Sequence, residues 1–403
     1  MNKVSLLLII LTLAFWPAQE AFCQDQPWTE KIKQILNDGA VLVTDPTGKP
    51  ILSINADKAM VPASTLKLVV AAAALDFLGP QYRFTTEFHL SGNQDLYVIG
   101  RGDPYLISEE LAIIAKRLKT QGLTRVKDIR LDNSFFLPGL VLDGTEKSLH
   151  PYDAYNGALC VNFNTIYLYL SPKGLISSAE RQTPLTDLGK QLAAKTKTRG
   201  KVRFNLAENP DICLQYAGEL LKAFLVKAGV EVKGRILPAE KDPGPIQLFY
   251  RHQSRQDLRE MVAQLLKHSN NFMTNQIFLT LGAEKYGAPA DEIKARRAVA
   301  DYLTTKGIPT FHLEEGSGLS RRTKVSAGQL EAILREFKPY RGLLTSRGRT
   351  FFKTGTLKDV KSMAGYLVPT QGEPLNFVIL MNGVQVSYTA RDKILGLLEE
   401  NLL

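Results

Sequence analysis

Val61-Pro62-Ala63-Ser64-Thr65-Leu66-Lys67 leads directly into Leu68-Val69-Val70-Ala71-Ala72-Ala73-Ala74-Leu75, and the run stops at Gly79-Pro80. The apolar text over residues 65–78 predicts a buried helix, ended by a Gly-Pro pair that cannot continue it. The Ala71–Ala74 run reads as helix packing. Ser64 and Lys67 stand three residues apart at its start, a spacing that puts both on one face. A serine hydroxyl is a weak nucleophile until a base takes its proton. A lysine desolvated by apolar neighbours can have its pKa lowered enough to be that base. The helix N-terminus adds a positive dipole end where negative charge develops. A capping serine followed by a surface lysine would look the same, so the pattern needs company.

Two further motifs supply it. His268-Ser269-Asn270-Asn271 follows a predicted helix over 258–267. There Ser269 can relay a proton to a leaving group, and the Asn271 amide can hold a substrate carbonyl or a lysine ammonium. Phe351-Phe352-Lys353-Thr354-Gly355-Thr356-Leu357 reads as a buried strand. Lys353 and Thr354 suit a substrate carboxylate, and Gly355 leaves room for substrate backbone along the strand edge. The backbone N–H of Thr356, with that of Ser64, suits an oxyanion. Taken singly, each motif also fits an ordinary polar loop or strand-end turn.

The order SxxK, SxN, KTG is the set found in penicillin-binding proteins and β-lactamases. Between Lys67 and Ser269 lie 201 residues, far more than a compact β-lactamase fold needs. With Asp95-Leu96-Tyr97-Val98-Ile99-Gly100-Arg101-Gly102-Asp103-Pro104 and Gly316-Ser317-Gly318-Leu319-Ser320-Arg321, the chain resembles the D-alanyl-D-alanine carboxypeptidase/endopeptidase family. These are the class C low-molecular-mass penicillin-binding proteins. The resemblance runs from about residue 40 to the C-terminus. It implies an α/β fold: a transpeptidase/β-lactamase-like domain of helices packed on an antiparallel sheet, with a strand-rich domain inserted between SxxK and SxN. Family members often nest a second subdomain in the first, and the shorter insertion here leaves that point open. Glu315 stands where Asp usually precedes the GSGLS run, and Phe272-Met273-Thr274-Asn275 replaces a more typical Leu-x-Ala-Glu/Asp.

The implied activity is serine DD-peptidase action on peptidoglycan peptides through an acyl-enzyme at Ser64, with β-lactam antibiotics as covalent inhibitors. The catalytic set is Ser64, Lys67, Ser269, Asn271 and Lys353, and Thr354, Gly355 and Thr356 bind substrate. A β-lactamase of the same fold and a catalytically silent wall-binding scaffold are the alternatives. No Asp or Glu adjoins the SxxK or SxN motif as a dedicated deacylating base, which ranks the β-lactamase lower.

Other elements follow from periodicity and turn residues. A helix over 28–36 precedes strands at 40–44 and 51–55. Residues 83–246 read mostly as short strands and turns, such as 96–99 and 167–170, with helices near 109–120 and 217–228. Helices return at 258–267, 275–286, 293–306 and 327–337. Strands follow at 365–369 and 377–382, then a helix at 391–403. The expected division is a leader at 1–23, a split catalytic domain at 24–84 and 248–403, and an insertion at 85–247. Arg101-Gly102-Asp103 reads as a turn. Tyr152-Asp153-Ala154-Tyr155-Asn156 reads as a surface loop that could instead line the cleft.

Lys3 and the apolar run 4–16 form a secretory signal peptide, with cleavage expected after Cys23. That run is shorter than the roughly 20 residues needed to span a bilayer, so no transmembrane anchor is expected in the mature chain. Export to the periplasm or cell envelope leaves Cys160 and Cys213 as the mature thiols, either disulfide-bonded or separately buried. The 403 residues carry 44% hydrophobic and 22% charged side chains, values of a chain with a large core and more than one folding unit. Fifty Lys+Arg against 40 Asp+Glu give net +10 and a pI near 9.3. The basic residues are scattered, without a motif or a run of five, so nucleic acid is not an expected partner. His89, His150, His252, His268 and His312 form no HxH or HExxH spacing, and neither metal nor other cofactor is expected.

Overall fold

The computed structural model describes residues 26–145, 153–206, 209–383, 387 and 389–403. The expected leader, His150 and Tyr152 lie outside them. One layer is a six-stranded antiparallel sheet in the order Thr345–Arg347, Thr350–Leu357, Val360–Leu367, Leu375–Asn382, Ala40–Thr44, Pro50–Ile54. The N-terminal hairpin thus closes on the C-terminal strands, with Ala40 opposite Leu380 and Thr44 opposite Asn376. Side chains alternate across the sheet, so one strand feeds two cores. Val41, Val43, Met363, Phe377 and Ile379 face the terminal helices Pro27–Leu36 and Ala390–Leu402. Ala40, Leu42, Ala364, Val378 and Leu380 face a larger cluster built on the helices Lys67–Phe77, Leu258–His268, Asn271–Tyr286 and Ala327–Phe337.

The helix Lys67–Phe77 is buried continuously from Lys67 to Leu75, the tetra-alanine included. Helices pack on several sides of it, so an apolar stripe would be too narrow and all faces are apolar. Capping fixes its neighbours. Asp257 and Glu260 form a reciprocal capping box, as do Ser326 and Gln329.

The insertion is a mixed five-stranded sheet in the order Ile236–Pro238, Ile129–Asp132, Leu96–Gly100, Thr85–Ser91, Ile246–Gln253. Ile246–Gln253 pairs antiparallel with Thr85–Ser91, so this sheet runs on past residue 247 to Gln253. The region is less strand-dominated than expected, since the helices Ser108–Thr120 and Pro210–Lys227 cover this sheet. The second helix begins at Pro210 with Asn209 as its cap, well before the expected 217. A three-stranded sheet, in the order Ile176–Ser178, Thr165–Leu170, Gly200–Asn205, is nested inside the insertion and shares its core.

The cysteines take the thiol alternative. Cys160 and Cys213 are free and buried, and their Sγ atoms donate to the carbonyls of Gly157 and Leu206. Burial pushes the Cys160 thiol up to about 12. Among the described residues no helix is long and apolar enough to cross a membrane.

Candidate active site

Ser64 lies in the 3-10 turn Ala63–Leu66, immediately before the buried helix, so the α-helix begins two residues later than the sequence predicts. Ala63 adopts φ +49°, a left-handed conformation that alanine disfavours. The surroundings hold the turn there. Thr65 Oγ1 and Ser362 Oγ both donate to the Pro62 carbonyl, at 2.7 and 2.5 Å. The Asn382 amide brackets Val61 from both sides. Two glycines make room: a Cβ on Gly318 would lie 2.0 Å from the Ala63 carbonyl oxygen, and one on Gly355 2.9 Å from Ser64 N. Gly355 is therefore needed for the serine turn itself to approach the strand.

The three motifs converge. Lys67, fully buried, places Nζ 3.0 Å from Ser64 Oγ, 2.8 Å from Asn271 Oδ1 and 2.5 Å from the Ser317 carbonyl oxygen. A tight corner between two helices delivers the second motif. Ser269 closes the helix Leu258–His268 in a left-handed conformation, Asn270 caps the next, and Asn271 is its first residue. The corner aims Ser269 at Lys353, whose Nζ lies 2.9 Å from Ser269 Oγ and 2.8 Å from the Thr354 carbonyl oxygen. Each lysine thus holds one hydroxyl.

Electrostatics separates the two lysines from ordinary ones. Burial first, and then the charge of Lys353, bring Lys67 from 10.5 down to about 7 against the opposing charge of Glu315. Burial, then Arg391, brings Lys353 down to about 8. Near neutral pH, Lys67 can take a proton while Lys353 still carries charge.

Glu315, fully buried, folds back on its own loop. It accepts from Ser317 N, Ser317 Oγ, Gly318 N and Ser320 N, and so fixes the Ser317 carbonyl that Lys67 meets. A substrate-sized cleft of about 780 Å³ opens over Ser64, Ser269, Asn271 and Thr356. Thr354 and Gly355 sit on the strand beside it. Asp143, Asp153, Arg321 and Arg322 also line it, and sequence reasoning missed all of them as site residues except Asp153, raised only as one member of a loop. Asp153, Ala154, Tyr155 and Asn156 are buried, so the surface-loop expectation for 152–156 fails over the described part. The Arg101-Gly102-Asp103 turn is a clasp instead, with Gly102 N donating to the Ala158 carbonyl and its own carbonyl accepting from Gln276.

A helix-flanked antiparallel sheet that presents a serine beside a buried lysine, backed by a second serine–lysine pair, defines a serine acyl-transfer enzyme of the penicillin-binding fold. The D-Ala-D-Ala carboxypeptidase 3 (S13) family model matches residues 29–203, 204–345 and 340–401. The chain belongs to that family and is a serine DD-peptidase. It is 27% identical over 441 residues to the D-alanyl-D-alanine carboxypeptidase of Actinomadura sp. (strain R39), covering 88% of this chain and 80% of the relative. To D-alanyl-D-alanine carboxypeptidase DacB of Haemophilus influenzae it is 26% identical, covering 88% and 87%. The fold matches the crystal structure of penicillin binding protein 4 (dacB) from Haemophilus influenzae at TM-score 0.75 and 23% identity, over 93% of this chain and 98% of that one.

Proposed function

We propose that Ser64 is the nucleophile of a D-alanyl-D-alanine carboxypeptidase that also opens D-Ala-to-diamino-acid cross-links, and that the chain works outside the cytoplasm after removal of residues 1–23. The observation that carries this reading is the 3.0 Å contact between Lys67 Nζ and Ser64 Oγ, in a site whose lysine is lowered to about 7. Neutral Lys67 takes the Ser64 proton as Oγ bonds the scissile carbonyl carbon. The oxyanion sits between the N–H groups of Ser64 and Thr356. Collapse breaks the C–N bond, and the proton taken by Lys67 is relayed through Ser269 to the departing amine, which leaves both side chains as they began. Water then cleaves the ester. Lys353 and Thr354 hold the terminal carboxylate, and Asn271 keeps the Lys67 amine aimed at Ser64.

Slow deacylation of β-lactams is the expected corollary. Glu315 has both oxygens occupied by its own loop, and Asp143 is bonded to Ser320 and Arg322, so neither is poised to activate water at the ester. The test is labelling with a fluorescent penicillin, mapped by peptide mass, together with product analysis on purified muropeptides. We expect a label between Met60 and Lys67, lost in Ser64→Ala, and release of alanine or cleavage of dimers. Labelling that persists in Ser64→Ala removes the nucleophile assignment. An adduct lasting seconds, with muropeptides untouched, makes the protein a β-lactamase.

A further inference from the structure

Arg391 stands in the first turn of the helix Ala390–Leu402 and reaches across to the strand that carries Lys353. Its Nη1 lies 3.0 Å from the Gly355 carbonyl oxygen, 3.1 Å from Thr356 Oγ1 and 3.4 Å from the Ser362 carbonyl oxygen. The side chain is only 12% exposed, its contact with Asp392 is long at 3.8 Å, and among the described residues its Nε has no hydrogen-bond partner. A guanidinium is expensive to withdraw from water, and carbonyls with one distant carboxylate compensate it poorly. Packing alone would be served as well by a methionine.

The placement explains the expense. A trans peptide plane points its C=O and N–H in opposite directions. Fixing the Gly355 carbonyl therefore fixes the direction of the Thr356 N–H, on the residue that lines the cleft. When the Thr356 hydroxyl accepts from Arg391, its own proton is left free to donate to an anionic ligand. We propose that Arg391 is a positioning residue for acyl transfer, holding the Gly355–Thr356 peptide and the Thr356 hydroxyl in the orientation that receives the oxyanion and the substrate carboxylate. This rests on Ser64 as nucleophile and on the Thr356 N–H as oxyanion donor.

The charge of Arg391 has a second, separately readable effect. It faces Lys353 on the same strand, Lys361 on the next and Asp392 on its own helix, and it lowers the pKa of Lys353. Loss of that charge lets Lys353 stay protonated to higher pH.

The test compares Arg391→Met with Arg391→Lys in the full chain. It reads the acylation rate with a chromogenic cephalosporin, kcat and KM on a D-Ala-D-Ala peptide, the alkaline limb of the pH profile, and the melting temperature. In Arg391→Met we expect acylation to fall about 10- to 100-fold, the cost of a misaimed catalytic group. In that variant kcat should fall more than KM rises, and the alkaline limb should move upward. Arg391→Lys, which keeps the charge and a donor, should return the limb to its wild-type position and recover most of the rate. Wild-type kinetics and limb in folded Arg391→Met overturn the inference. If that variant does not fold, Arg391→Gln takes its place: a lowered kcat with the alkaline limb moved upward supports the inference, and wild-type kcat with an unmoved limb overturns it. A wild-type chain that does not label at Ser64 would overturn the nucleophile assignment and this inference together, whereas labelling indifferent to Arg391 overturns this inference alone.

Discussion

The six-stranded layer and the inserted sheet bury charge in opposite ways. In the insertion, Glu87 meets Arg101, Arg251 and His89, and Glu110 meets His252 at 2.8 Å and Arg255 at 2.5 Å. Burial pushes Glu110 up, but the hydrogen bonds from His252 and Arg255 outweigh it and hold the carboxyl below the usual range. In the catalytic layer, Lys67 and Lys353 are buried against hydroxyls, an amide and carbonyls, and both are brought down. Ionic partners lock a charge in place. Neutral partners solvate either protonation state, which a proton-transferring group needs. The difference separates charges held in ion pairs from the two lysines proposed to work in acyl transfer.

The strongest test of the contrast is to remove the working charge. Lys67→Met should lower penicillin acylation by about 10³-fold, the range of a lost general base. The fold should not suffer. Because the folded value of about 7 lies below the ordinary 10.5, the unfolded chain binds this proton more tightly. Lys67 therefore weakens the fold at pH 7 and below, and the penalty fades as pH rises toward 10.5. Lys67→Met should melt at or above the wild-type temperature at pH 7, checked by circular dichroism. A wild-type acylation rate in this variant would place the base elsewhere.

Removing a structural charge should do the reverse. Glu110→Gln leaves His252 and Arg255 without their carboxylate, and denaturant titration should show a loss of roughly 3 kcal/mol. The acylation rate of the folded fraction should stay within twofold of wild type. A neutral effect on stability would mean that the insertion tolerates uncompensated charge as the catalytic layer does.

The smallest expected effect sharpens the comparison through pH. The rate on a carboxylate-bearing peptide should rise through about pH 7 as Lys67 loses its proton, and fall above about pH 8 as Lys353 loses its own. Glu315→Gln removes the negative charge that holds Lys67 up, so the acid limb should move to lower pH by up to about one unit. An unmoved limb would detach that limb from Lys67.

What could be read from the sequence depended on the range of the interaction. The i, i+3 spacing of Ser64 and Lys67, the Gly79-Pro80 stop and the short β-branched strand at 40–44 are local, and the structure reproduces them with boundaries moved by a residue or two. The start of the helix at Pro210 was also legible, since Asn209-Pro210 is a cap followed by a residue suited to the first turn, yet apolar periodicity drew attention to 217 onward. In the sequence, Glu315 stands out only as a departure from Asp. Its loop-capping role depends on how residues 316–320 curl around it.

The three motifs, their order and the long stretch between the first two could be read from residues alone, because motif chemistry and element periodicity are written within a few residues of each other. Which groups meet across the chain followed from the packing of the folded protein. Lys67 meets Asn271 204 residues away, and Arg391 reaches Gly355 from the last helix. Asp143 enters the cleft wall, and Cys160 and Cys213 remain thiols. Such contacts depend on the packing of distant elements and on which buried polar group lacks a nearer partner, and no local pattern encodes either.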